Sequence, residues 1–289
     1  MEYQNFFKQK NYDKDIWNYI NFMKKYFIQI SNLNYLSIIC IVYIFCGYSI
    51  ADEYKNNLRY DIQFSNIQVG QIIVSFENKN KKISLVANSF SEGFVDVFYS
   101  YKSNLNAIFY NDENKWFPYK FTINSIYKDK KIFTEVIWDK KTKDLKLKLD
   151  PPLNLKKVHR ISDKSLKNVI DPITALMRLI QNLSLKKSCR NKFRIFDGRR
   201  RYDVITKGFG NIFLENDRPK SFKGNAIVCG IKFFPLGGHR LKSKWKPEND
   251  KFKDIKIFFF NKEKKFNFPI RMVIKRWFGT IVVRLLKEN

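Results

Sequence analysis

NIQVGQIIVSF, Asn66–Phe76, is the stretch on which the fold turns. Its Ile, Val and Phe side chains come in short, partly alternating runs, which suits a strand with one covered face better than a helix. Gly70 interrupts the run and marks a bulge or a close crossing. The same pattern extends to both sides, in LRYDIQF (58–64) and KKISLVANSF (81–90). It resumes in LNAIFY (105–110), KWFPYKFTINSIY (115–127) and KKIFTEVIWD (130–139). Pro118 has no backbone donor, so it belongs near a strand start or an edge. DLKLKLDPPLNLKKV (144–158) reads as a solvated strand that stops at Pro151 and Pro152, with leucines inward and lysines in water. One segment departs from the period. In SEGFVDVFYSYK (91–102), Phe94, Val97, Phe98 and Tyr101 share a helical face, which predicts a short helix or an irregular edge.

The clearest helix is DPITALMRLIQNLSLKK (171–187). Asp171 stands at the cap and Pro172 at the first helical position. Ile173, Leu176, Leu179, Ile180 and Leu183 form one stripe, and Lys186 and Lys187 suit the negative end of the helix dipole. This helix is expected to pack across a sheet, with Asp171 and Arg178 in structural roles. The strand pattern then returns. NKFRIFDGRRRYDVIT (191–206) predicts a hairpin with Asp197 and Gly198 at the turn. SFKGNAIVCGIKFFPL (221–236), DIKIFFF (254–260), FNFPIRMVIKRWF (266–278) and TIVVRLL (280–286) complete the set, with Gly279 and Thr280 expected as the last tight connection. The expected fold is mainly β: one antiparallel twisted sheet forming a barrel or an open half-barrel, with a packing helix. No repeat or linker divides it, so residues 52–289 form one expected domain.

The chain has 289 residues, and its 44% hydrophobic content supplies a core large enough to exclude wholesale disorder. Its 55 Lys and Arg against 27 Asp and Glu favour anionic partners such as phosphates, acidic glycans or lipid headgroups. That excess is spread along the whole chain, as a compositional bias would also spread it. The N-terminus points to export. A short basic start at Met23 precedes an apolar run from Leu36 to Ile50, and Ser49 and Ala51 occupy the small-residue positions of a cleavage site. Residues 1–51 are therefore the expected leader and export signal, with Met23 an alternative start. The apolar run is shorter than the ~20 residues of a membrane-spanning helix. A retained anchor would nevertheless associate the chain with a membrane. Lipidation at Cys46 ranks below simple cleavage, because Phe45 precedes it.

Cleavage would leave two cysteines, Cys189 and Cys229. In an oxidising compartment the two form a disulfide, and such a bridge would contribute ~4 kcal/mol through loop entropy. Two buried thiols, or half of a metal site, are the alternatives. Chemistry is otherwise sparse. No glycine-rich phosphate loop, zinc-binding helix motif or nucleophile elbow occurs, and the residues imply neither a cofactor nor a metal. In FDGRRRYDV (196–204), strand alternation would put Arg199 and Arg201 on one face, able to grip phosphate or carboxylate, with Arg200 on the other. A structural role is equally concrete: Asp197 capping the turn, Asp203 pairing with an arginine and Tyr202 packing on the sheet. In PLGGHR (235–240), Gly237 and Gly238 permit a tight turn that presents amides to an anion. His239 is a candidate acid or base, as an unperturbed imidazole changes charge near neutrality, but it has no local carboxylate or nucleophile beside it. If the cysteines pair, Arg199, Arg201, His239 and Arg240 are expected to converge on one disulfide-stapled anion-recognition edge.

Four segments together resemble an uncharacterised bacterial envelope family, domain of unknown function 3108. They are DPITALMRLI, Cys189 followed by FDGRRRYDV, NAIVCGIKFFPLGGHR, and FPIRMVIKRWFGTIVVRLL. The family-marking positions are Asp171, Pro172, Cys189, Asp197, Gly198, Arg199, Arg200, Arg201, Tyr202, Cys229, Gly237, Gly238, His239 and Arg240. The resemblance implies a mostly β domain in the periplasm or outer envelope, a distant analogue of half-barrel lipoprotein carriers, with no established catalytic residue. The leading functional expectation is a domain that binds a lipid or another amphipathic anionic envelope component. Phe90, Phe94, Phe98, Phe121, Phe133, Phe193 and Phe196 are candidates to line an acyl-chain cavity. The alternative is a structural module that meets an envelope protein. An envelope hydrolase built on dispersed carboxylates and His239 ranks lower. A specific nucleic-acid role is disfavoured by the export signal.

Overall fold

The structure is a computed structural model that describes residues 57–79, 82–113, 115–142, 144–186, 188–243, 246–260 and 268–286. The expected leader, with Met23, Cys46 and Ala51, lies outside the described residues, as does Lys187. Among the described residues, thirteen strands and two α-helices follow in order: β1 (Asn57–Phe64), β2 (Ile67–Lys79), β3 (Lys82–Ser91), α1 (Phe94–Phe98), β4 (Tyr101–Asp112), β5 (Lys115–Tyr127), β6 (Lys130–Trp138), β7 (Leu145–Asp150), α2 (Pro172–Lys186), β8 (Asn191–Phe196), β9 (Arg201–Leu214), β10 (Gly224–Gly237), β11 (Ile255–Phe260), β12 (Pro269–Arg276) and β13 (Gly279–Leu285).

All thirteen strands belong to one sheet, in the order β7-β6-β5-β4-β3-β2-β1-β13-β12-β11-β10-β9-β8. Every neighbouring pair is antiparallel. β1 and β13 join two meanders, so the first and last strands lie side by side at the centre. The sheet stays open, with β7 and β8 as its edges. The open half-barrel with a packing helix is therefore the observed form of the expected fold. The long connection between these edges carries α2. Asp171 caps it by accepting from the backbone N–H groups of Ile173 (2.8 Å) and Thr174 (2.9 Å), and Thr174 Oγ1 donates to the other carboxylate oxygen. Arg178 Nε reaches the Trp116 carbonyl on β5 at 2.7 Å, and Asn182 bonds to Asn191 at the start of β8. α2 thus bridges the two halves of the sheet. Its buried stripe joins side chains from both meanders in one contiguous apolar core. Just before α2, Ile170 pairs with the β8 edge: its N–H donates to the Arg194 carbonyl, and its carbonyl accepts from Phe196.

Pro118 lies near the start of β5, as expected, before the residues that pair with β6 and beside a register shift against β4. The last hairpin turns at Trp277–Phe278, because Arg276 and Gly279 face each other and Gly279 and Thr280 already belong to β13. Leu147 on β7 pairs with the buried Val136 and shares its inward face, as expected, but stays 46% exposed because no further strand covers that edge.

Candidate functional site

The register collects the turns at one end of the sheet. There lie the β1–β2 turn, α1, the β5–β6 turn, the β8–β9 turn, the β12–β13 turn and the end of β10; the start of β1 is at the opposite end. This turn rim has two contrasting parts.

The first is the arginine hairpin. Asp197 Oδ1 accepts from the N–H groups of Arg199 (2.9 Å) and Arg200 (2.7 Å), which closes the β8–β9 turn. Gly198, at φ 88°, is pressed against Thr134 and Val136 of β6, where any Cβ would overlap the Thr134 methyl. Arg199 then crosses to the other edge of the sheet. Its Nε donates to Thr134 Oγ1 (2.8 Å), and its Nη2 lies within reach of the carbonyls of Phe133 (2.9 Å), Asp150 (3.2 Å) and Pro151 (2.9 Å). Burial pulls the Arg199 guanidinium below its ordinary pKa, while the Asp197 charge opposes that shift. Arg201 is 2% exposed; it donates to the Ser165 carbonyl (2.8 Å) and to Asp203 (2.6 Å). Arg200 faces Asp197 at 3.8 Å. Tyr202 packs against Phe233.

The PLGGHR turn does come to this hairpin. Gly237 pairs with Arg201, and Gly238, at φ 79°, sits so close to the Arg199 carbonyl that no Cβ fits. His239 stacks on His159 with ring centroids 4.2 Å apart, and His159 N–H donates to the His239 carbonyl at 2.9 Å. Arg240 is exposed and bridges Val158. The backbones converge, but the guanidinium groups of Arg199 and Arg201 diverge towards separate protein partners. Their expected common face is absent because β9 begins only at Arg201, leaving Arg199 in the turn. Cys189 and Cys229 are disulfide-bonded with a Cα–Cα distance of 5.6 Å. The bridge joins the approach to β8 with the middle of β10, where Cys229 faces Gly208. The β9–β10 register, rather than the disulfide, brings the two turns together. Thr134 and Ser165 escaped the sequence reading because they stand 65 and 36 residues from the arginines they hold.

The second part is an apolar tip. α1 buries Val95 and turns Phe94 (40% exposed), Val97 (80%) and Phe98 (41%) outward. The expected short helix is present, and the face shared by Phe94, Val97 and Phe98 is the one that water meets. Trp277, 76% exposed, stands at the neighbouring β12–β13 tip. Both tips rest on one small cluster: Val95 and Phe64 with Val69, Tyr99, Phe278 and Ile281. Gly279 has no room for a side chain there, because the Phe64 ring fills the space. Lysines flank this tip. Lys128 lies over the Tyr99 ring at 5.3 Å, and its N–H donates to the Ser100 carbonyl. Ile126, 41% exposed, stands between Lys102 and Lys131 in register. Lys275 is exposed beside the β12–β13 turn. A bulky Trp-Phe pair in a two-residue turn is the sequence signal that could have found this tip.

Among the described residues no cluster of metal-ligating side chains occurs, and no helix is long and apolar enough to cross a membrane. A family model described as "Protein of unknown function (DUF3108)" matches residues 59–286. The chain belongs to that family. No curated protein and no solved structure matches it. In this DUF3108 chain the matched span contains both the arginine hairpin and the apolar tip. Of the phenylalanines expected to line a cavity, Phe121, Phe193 and Phe196 belong to the packed core, whereas Phe94 and Phe98 lie on the outer tip.

Proposed function

We propose that this DUF3108 chain is an exported envelope domain that binds an amphipathic, anionic envelope component, a lipid, on its outer surface rather than in a hollow interior. The observation that carries this reading is the outward apolar face of α1 beside Trp277 on a chain of net charge +28. Soluble proteins hide such a face unless something else covers it, and the surrounding lysines favour an anionic cover. The enclosed side of the sheet is occupied by the contiguous core and by α2, which supports a binding surface on the outside. The arginine hairpin, on this reading, holds the edges of the half-barrel together.

The test compares the mass of the gently purified chain with its recovery on vesicles. A surface binder gives a bare native mass, floats with phosphatidylglycerol vesicles and is released by salt. A stoichiometric lipid that leaves only on unfolding would replace this reading with an interior carrier. Failure to float would favour the alternative, a structural module that meets an envelope protein.

A further inference from the structure

We infer that the turn rim is a bilayer-docking edge: Phe94, Val97, Phe98 and Trp277 enter the headgroup–acyl boundary of an anionic membrane, while Lys102, Lys128, Lys131 and Lys275 meet its phosphates. This rests on the surface-binding reading above and assigns it a place and an orientation. Three observations support it. The apolar side chains come from two separate connections, yet both rest on the Phe64–Val95 cluster, so they are held as one unit rather than as two loose loops. Trp and Phe are the side chains that suit the membrane interface, where an apolar body enters and a polar rim stays wet. The flanking charge has the right sign. Ile126 lies between Lys102 and Lys131 on the sheet, and Lys128 stands over Tyr99 behind α1. Of the nearby acids, Asp96 and Glu92 are engaged within the rim, where Ser91 donates to Asp96 and Gln68 Nε2 donates to Glu92 at 2.7 Å; Asp129, exposed in the β5–β6 turn, is outnumbered by Lys128, Lys130 and Lys131 around it.

The orientation follows from strand direction. The strands run away from the membrane, and the start of β1 lies at the far end of the sheet. A 13-residue strand such as β2 spans roughly 40 Å at ~3.3 Å per residue, so a rim-docked domain holds its opposite end well clear of the headgroups. The expected occupant is therefore the bilayer surface, with the sheet standing on it.

The experiment uses the full chain with vesicles of phosphatidylcholine alone, or mixed with phosphatidylglycerol, some carrying brominated acyl chains. Trp277 is read as the difference in emission between the wild type and Trp277→Phe. The expected result is quenching of Trp277 by brominated lipid only when phosphatidylglycerol is present. The double variant Phe94→Asp/Val97→Asp should weaken partition onto those vesicles by about tenfold or more, since it both removes buried apolar area and adds negative charge. Phe213→Asp, at the opposite end of β9 and 55% exposed in the wild type, should leave partition unchanged. Unaltered urea midpoints for all three variants keep folding out of the comparison. If the wild type partitions but Trp277 is not quenched and the double variant binds as well, the rim assignment is wrong while surface lipid binding stands. If the wild type ignores anionic vesicles, both fall together. If acrylamide cannot reach Trp277 before vesicles are added, another segment of the chain or a second copy covers the rim, which also overturns the assignment.

Discussion

The arginine hairpin and the α1–Trp277 tip occupy the same end of the same sheet and invert the usual expectation for their residue types. Three consecutive arginines turn away from water, while three residues of an apolar helical face turn into it. The difference lies in what each backbone can reach. The β8–β9 turn projects towards the β7 edge of the half-barrel, where the carbonyls of Phe133 on β6 and of Asp150 and Pro151 at the end of β7 lie within reach of Arg199 Nη2. α1 has only five residues, so it can bury one side chain, Val95, and the rest of its apolar surface remains outside. Charge marks a staple in one place; apolarity marks an exposed surface in the other.

The comparison breaks most visibly at the disulfide. Replacing Cys189 and Cys229 together by serine should lower stability by ~4 kcal/mol, the loop-entropy value for a bridge across 40 residues, read as a lower urea midpoint. A negligible change would mean that the β9–β10 ladder alone fixes the hairpin. Gly238→Ala comes next. Its methyl would fall on the Arg199 carbonyl at a positive φ, so a loss of about 3 kcal/mol is expected from displaced backbone and strain. Tolerance of alanine there would show that the two turns do not pack as described. Arg199→Ala should cost about 2 kcal/mol, because carbonyls at the sheet edge lose their donor, and Arg199→Lys should recover only part of it. Hydrogen exchange should rise selectively in β6, β7 and the β8–β9 turn; a uniform rise would argue against a staple between edges.

The smallest stability effect belongs to the tip. Val97→Asp should change the urea midpoint by less than about 0.5 kcal/mol, since the wild-type side chain is already in water. A cost comparable to Arg199→Ala would show that the tip is structural after all, and the contrast between the two regions would disappear.

Much of this was legible in the chain. The alternation around Asn66–Phe76 repeats through both meanders, and the cap in DPITALMRLI places α2 at its observed start. Asp197 and Gly198 mark the β8–β9 turn because a short acceptor and a positive φ are local requirements. The directions of Arg199 and Arg201 were not legible, since Thr134, Pro151 and Ser165 reach them only through the curvature of the open sheet. Nor was the outward face of α1. A helical period says which side chains share a face; it does not say whether a neighbour is near enough to cover them.

The sequence by itself determined the strands, the capped helix, the cysteine pair available for bridging and the excess of positive charge, because propensity, turn chemistry and composition act over a few residues. Tertiary structure alone decided that β1 lies beside β13, that the sheet stays open, and that the arginines are spent inside while Trp277 stands outside. Those outcomes depend on register and on the curvature of thirteen strands taken together, and no short window of residues carries either.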